Sequence, residues 1–486
     1  MITRRSIIKT GMATGAVGAA GLLVPATAGT AAAAGSAGAA ATTDLDPASV
    51  PKFTQAMPLA PVATPYMSMP MMMDCYALTM QEANKEILPG VQTRVWTFNG
   101  SFPGPVIKAR SNVRTLVDQT NNLPVGISVH LHGAHVPADS DGDPVVLIPA
   151  NGGTKTYTYP NTQPHASLWF HDHAHHAESE SAFRGLAGTY LITDDIEQGL
   201  NLPSGAYDVP IQLRDARFDD QGQLLYQLGD FQNRNVILAN GRAWPFHAVA
   251  ARKYRLRFCN TANMRTFTLA LSDGSSFQQI GSDGGLLPAP ITVSQVTLSP
   301  GERADVVIDF SRYAVGTTLE LVNQGTGGPA EQIGKVLQFR VDRTAADTSV
   351  VPSTLRTLPV MAAATVNRSF VLGMGGGIAT INGVAYVPDR IDTEVAYGST
   401  EIWTITNSGT GTHNFHVHLV QFRVIERAGA QVTAGPDYGL KDTVRIGPGE
   451  TVKIQATFTG YRGQYLYHCH IFDHAAMGMM ATMRVS

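Results

Sequence analysis

The sequence predicts an all-β protein assembled from several sandwich- or barrel-type domains. Short runs with two-residue apolar alternation recur along the whole chain, the pattern of half-buried strands. Turn chemistry separates them: 48 glycines, 28 prolines and four Asn-Gly pairs, at Asn99-Gly100, Asn151-Gly152, Asn240-Gly241 and Asn382-Gly383. No long amphipathic helical stretch competes. A chain of 486 residues is too long for one ordinary domain. Charged residues are only 15% and the net charge is −3, which excludes a disordered or coiled-coil protein and offers no basic surface for nucleic acid.

The N-terminus reads as an export leader. Thr3-Arg4-Arg5-Ser6-Ile7-Ile8-Lys9 precedes a weakly apolar Gly/Ala stretch from Gly11 to Val24, and small residues run on to Ala41. A charged start, a modest apolar middle and an Ala-x-Ala site make a signal peptide, and the arginine pair is similar to a bacterial twin-arginine signal. Residues 1–41 are therefore expected to be leader and linker, with the remainder exported to a periplasmic, cell-envelope or extracellular location. No later segment has the eighteen or so uninterrupted apolar residues of a membrane span.

Strands are predicted at Val113–Val117, Ile127–His132, Leu168–His171 and Gly188–Thr193, then at Tyr254–Cys259, Thr266–Leu271 and Ala304–Phe310. The last third carries Ile402–Thr406, Phe415–Ile425, Val452–Phe458 and Gln464–Ile471. Connections fall at DDIEQGLNLP (194–203) and at the longer segment 344–365. Three domains follow, 42–195, 196–343 and 366–486, with 344–365 as linker.

Histidine carries the chemistry. Fifteen occur, and five His-x-His pairs form among them. Random placement would give roughly half of one such pair. The clusters are His130/His132, His171/His173, His413/His416/His418 and the run His468-Cys469-His470 with His474 and Met479. Residues two apart on a strand share a face, so His130 and His132 converge on one side while Ile127, Val129 and Leu131 anchor the other. Four such pairs offer eight imidazoles, more than one zinc needs, so several metal ions are implied. His135, His165, His175, His176 and His247 read as packing residues.

Cys469 sets the metal. Between His468 and His470 on an extended strand it must face away from both, and so serve a second site behind the first. Two histidines, one cysteine and a weak axial methionine make a blue-copper electron-transfer site. His474 and Met479 follow in a short loop, and His413 can come from the neighbouring strand. A zinc site on Cys469 is the alternative, although zinc clusters usually draw on paired cysteines.

With these motifs in place, the chain resembles the multicopper oxidases. FNGSFPGP (98–105), HLHGAHVPADSDGDP (130–144), LWFHDHA (168–174), YDVP (207–210) and QIGSDGGLLP (279–288) are similar to the three-domain bacterial branch of laccases and bilirubin oxidases. The resemblance implies three consecutive cupredoxin-like Greek-key domains and four coppers per chain. It implies type 1 copper on His413, Cys469, His474 and axial Met479, and type 2 copper on His130 and His416. One type 3 copper would sit on His132, His171 and His470, and the other on His173, His418 and His468. Dioxygen would be the acceptor. Asp141 matches the family's acid near type 2 copper, against a turn carboxylate as the plainer alternative. Where the family commonly places a Glu after the second type 1 histidine, this chain has Ala475, which puts that acid in doubt; Asp473 is a weak substitute.

The reductant is open: phenols, aromatic amines or bilirubin-like pigments, or alternatively Cu(I) or Mn(II). The segment Tyr66–Met73, with Met67, Met69 and Met71–Met73, suits Cu(I) docking by its thioethers, but reads more simply as an apolar strand with methionine as filler. A copper-binding electron carrier needs only the blue site, which argues against that third class. Cys75 and Cys259 are expected as buried thiols, with a disulfide open after export.

Overall fold

The computed structural model describes residues 43–486; the leader lies outside the described residues. Strands fall into three consecutive sheet pairs. Residues 67–193 form sheets of five and four strands, residues 208–344 sheets of seven and five, and residues 366–485 sheets of six and five. The pairs share a device that the sequence does not display as a repeat. In each, an early strand runs parallel to a later one: Met73–Glu86 with Arg114–Asn121, Asp208–Ala216 with Lys253–Asn260, and Val366–Gly375 with Thr400–Asn407.

Inward-facing side chains fill each pair. Leu78, Val117, Leu131, Phe170 and Tyr190 lie in the first core, Leu256, Val306, Leu321 and Phe339 in the second, and Trp403, Phe415, Val444 and Ile454 in the third. All four Asn-Gly pairs have positive φ at both residues, the mirror-image turn whose twist matches the flanking strands.

The structure departs from the strand reading in two places. Phe415–Ile425 is not continuous: His413–Val417 and Arg423–Arg427 are separate strands, broken where Leu419 adopts φ +71°. The run Gln464–Ile471 ends as a strand at His468, because the chain then turns into the short helix Phe472–Ala476. A second short helix, Glu178–Arg184, packs against it. Residues 345–365 form no helix or strand, though Leu355 is buried against Leu202, Ile280 and Leu286. The first described residues run along the middle sheet pair rather than the first one, with Leu45 N–H donating to Phe218 O and Phe53 N–H to Trp244 O.

Cys75 and Cys259 are buried free thiols, as expected, and form no disulfide; Cys259 packs beside Trp169 and Phe472. One reading is corrected: the methionines of Tyr66–Met73 do not fill a core. Met67–Met69 is an edge strand, and Met71 and Met72 are 68% and 69% exposed.

The sheet pairs are tied together by buried charge. Arg303 of the middle pair donates twice to Asp442 of the third, at 2.7 Å each. Arg255 and Arg257 of the middle pair converge on Asp305 (2.6 and 3.2 Å) and on His165 Nε2 of the first pair. Isolated, none of these charges would be tolerable; paired with one another, they fix how the sheet pairs meet. No helix among the described residues is long and apolar enough to cross a membrane.

Candidate metal centre

Four strands and one helix bring the predicted residues together. Val129–His132 pairs antiparallel with Ala166–Asp172, setting His130 directly opposite His171. His413–Val417 pairs antiparallel with Gly463–His468, setting His416 opposite His468. The two pairs face each other across the junction of first and third sheet pairs, and every ring is buried.

The ligand atoms form defined groups, each within 4.8 Å: His130, His132 and His416; His132, His171 and His470; His173, His418 and His468. His132 Nδ1 lies 3.0 Å from His470 Nε2, which lies 3.3 Å from His171 Nε2. His468 Nε2 is 3.2 Å from both His173 Nε2 and His418 Nε2. Ring nitrogens gathered this closely offer sets of imidazole donors that a metal ion could share.

The far side of most rings is anchored. Nδ1 of His130, His171, His416 and His468 meets the backbone carbonyls of Asp141 (2.5 Å), Asp172 (2.8 Å), Asp442 (2.8 Å) and Cys469 (3.0 Å). His418 Nδ1 donates to Asp141 Oδ2 at 2.7 Å. A ring that donates from Nδ1 presents an unprotonated Nε2, the form that binds metal. His132 is reversed: Nε2 faces Asp442 Oδ1 (2.8 Å) and Thr443 Oγ1 (3.0 Å), and Nδ1 turns inward. Burial, then the neighbouring rings, push His130, His132 and His171 well below the ordinary imidazole range, and likewise His173, His416, His468 and His470.

A second centre lies behind the first. Cys469 Sγ is 3.6 Å from His474 Nδ1 and 3.8 Å from His413 Nδ1, and those two nitrogens are 3.0 Å apart. His413 reaches this side because it is three residues from His416, an odd spacing that puts them on opposite strand faces. Met479 is fully buried in the same apolar cluster, and the Cys469 N–H donates to its carbonyl at 3.0 Å. Burial lifts the Cys469 thiol to about 12 and lowers His474 to about 3 and His413 to about 4. The thiolate thus needs a cation beside it. The alternation reading holds although Cys469 and His470 lie past the strand end: His468 and His470 face one cluster, and Cys469 faces the other.

Asp141 is no surface turn residue. It is 4% exposed and touches His418 and His130. Asp473 is committed elsewhere, taking bonds from Ser179 Oγ (2.5 Å), Gly229 N–H (2.7 Å) and Arg234 (3.0 Å). The five histidines read as packing residues enter none of the ligand groups.

Several contributors were invisible in the sequence. Asp442 orients His132, and Arg303 holds the Asp442 carboxyl well below the usual range against the opposing effect of burial. Asn414 Oδ1 accepts from the His470 N–H (2.6 Å) and from Cys469 Sγ (3.4 Å), touching both centres. Gly301 is needed for clearance: at φ +89° its backbone passes so near that a Cβ would lie 2.9 Å from His470 Nδ1. Glu178 is buried with neither carboxylate oxygen bonded, and burial, with Asp172 and Asp473 nearby, raises its carboxyl well above the usual value.

A cavity of about 540 Å³ opens beside His474, lined by Phe231, Met264, Ile471, Arg445 and several threonines. It lies against a ligand of the sulfur-bearing centre, within reach of solvent.

Comparison with known proteins agrees with this geometry. Family models described as multicopper oxidase match residues 79–197, 169–329 and 351–486. The chain is 37% identical to a bilirubin oxidase of Albifimbria verrucaria, covering 90% of this chain and 82% of that protein. It is 34% identical to a laccase of Bacillus subtilis, covering 90% and 98%. Among solved structures, a laccase of Pediococcus acidilactici superposes with a TM-score of 0.84 at 30% identity, covering 90% and 95%.

Proposed function

The chain belongs to the multicopper oxidase family, a copper oxidoreductase that uses oxygen, and from that premise we propose a laccase-like oxidase of phenols, aromatic amines or bilirubin-type pigments. In this reading four coppers bind per chain. His413, Cys469 and His474, with Met479 buried beside them, would hold the type 1 ion, and His130 with His416 the type 2 ion. His132, His171 and His470 would hold one type 3 ion; His173, His418 and His468 would hold the other. When bound, copper supplies one-electron oxidation of the reductant at the first centre and four-electron reduction of dioxygen to water at the second.

The remaining work belongs to the chain. His474 meets the cavity, so its ring is the contact edge for a reductant. Cys469 is joined by single peptide links to His468 and His470, a short covalent path between the centres. Neutral, buried rings keep ligand nitrogens available without a proton to displace. Asp141 Oδ2 orients His418 and is the carboxylate placed to hand protons to the oxygen-reducing side. The back-to-back placement of Cys469 against its two histidine neighbours carries this reading.

The Cu(I) alternative is less well supported, since the exposed Met67, Met69, Met71 and Met72 share no residue with the lining of the His474 cavity. Oxygen uptake with 2,6-dimethoxyphenol beside uptake with Cu(I) tests the choice; turnover of Cu(I) alone would reverse it. The leader at residues 1–41 belongs to the same proposal, as a twin-arginine signal exporting the folded protein. N-terminal sequencing of the exported form should find it removed.

A further inference from the structure

The cavity beside His474 is walled by an unusual balance of groups. Its apolar surface comes from Phe231, Met264 and Ile471, enough to seat an aromatic ring. Hydroxyls come from threonines, including Thr266 and Thr412. Arg445 is the one Lys or Arg side chain in the lining, which holds no carboxylate at all.

Arg445 is well anchored and chemically idle. Its backbone lies opposite Asn414, where Thr443–Ile446 pairs with the strand that carries His413. Its carbonyl accepts from Arg427. Among the described residues its guanidinium makes no hydrogen bond or ion pair, although nearly all the other arginines at part-buried positions do. Glu450 is the carboxylate that feels its charge, but Oε1 of Glu450 is taken by Arg427 (2.8 Å) and Oε2 by the Gly447 N–H (2.6 Å).

From this balance we infer that the enzyme prefers anionic aromatic reductants, phenols bearing a carboxylate or sulfonate, and that Arg445 is the specificity-determining residue that receives the anion. A planar guanidinium offers paired N–H donors that match such a group. The ring then rests against Phe231 and Ile471 with its phenolic end toward His474. The chemistry balances: four phenols each give one electron and one proton, and one dioxygen takes four of each to form two waters. The same arginine opposes a cationic reductant, so Cu(I) and Mn(II) enter this cavity against its charge.

The inference rests on the proposed entry of electrons at His474, and the test separates the two. Specificity constants are measured on the copper-loaded enzyme for 4-hydroxy-3,5-dimethoxybenzoate and for 2,6-dimethoxyphenol, which differ by one carboxylate. Arg445→Gln should lower the ratio of the first to the second about tenfold, and Arg445→Lys should recover part of it, since one well-placed charged contact is worth about a factor of ten. Binding of 3,5-dimethoxybenzoate, which has no phenol to oxidise, is followed by calorimetry on the same loaded proteins. It should weaken by a similar factor in Arg445→Gln, and the affinity of the parent should fall with added salt. An unchanged ratio with unchanged calorimetric affinity overturns the role of Arg445 while leaving the oxidase reading intact. Failure of the parent to oxidise either phenol overturns that reading instead. If Arg445→Gln loses its visible copper spectrum, Arg445→Lys and the calorimetry decide.

Discussion

Replacing Asp442 by Asn removes one negative charge and almost no volume from the point where all three sheet pairs meet. Asp442 is fully buried and takes two bonds from Arg303 at 2.7 Å, one from Gln421 at 2.9 Å, and faces His132 Nε2 at 2.8 Å. Arg303 would be left with Asp283 at 3.7 Å as its remaining carboxylate. Removing one member of a buried pair costs about 3–5 kcal/mol; Asn keeps one acceptor, so about 3 kcal/mol is the fitting estimate. The carboxylate also holds the proton on His132 Nε2 and frees Nδ1 for metal. Losing such support lowers metal affinity about 10- to 100-fold. Chemical unfolding of the copper-free protein and copper retention against a chelator read the two effects separately. Stability within about 0.5 kcal/mol of the parent, together with full copper retention, would refute the role given to Asp442.

Three further predictions concern protons and sulfur. Seven cluster histidines have folded pKa values below the ordinary 6.5, so the unfolded chain binds more protons than the folded one below that pH. Copper-free protein should be stable above pH 6.5 and lose up to about 1.4 kcal/mol per pH unit per ring on acidification; a flat stability curve from pH 7 to 5 would contradict this. Glu178 has the opposite sign: its folded pKa lies above 4.5, so the folded state pays for ionising it as pH rises. Glu178→Gln should therefore be more stable than the parent at pH 7 and no different near pH 4, checked by thermal unfolding at both values. Cys469→Ser should abolish the blue absorption and phenol turnover while type 2 and type 3 signals persist; retained blue colour would contradict the ligand assignment.

What could be read from the sequence followed the strand period. His-x-His spacing delivers two rings to one face wherever the backbone is extended, and the Cys469 alternation survived even past the end of its strand. Local patterns also placed most strands. The losses came where long-range packing decides. Asp442 and Arg303 are ordinary polar residues in their own segments, and only the meeting of sheet pairs makes them partners of His132. The break at Leu419 depends on a left-handed residue that a β-branched, apolar run conceals. Ala475 leaves its position in the turn without a carboxylate, and nothing in the sequence of helix Glu178–Arg184 shows that the buried, unbonded Glu178 belongs to an element packed against that turn. The methionines 67–73 looked like core filler because composition does not say which edge of a sheet faces water.

Copper quantitation on the exported protein, with visible and electron paramagnetic resonance spectra on the same sample, tests the central claim directly. Two centres back to back across Cys469 predict four coppers per chain, one of them intensely blue and paramagnetic and one paramagnetic without strong colour. A single blue copper with an empty histidine cluster, or a full cluster without blue absorption, would contradict it.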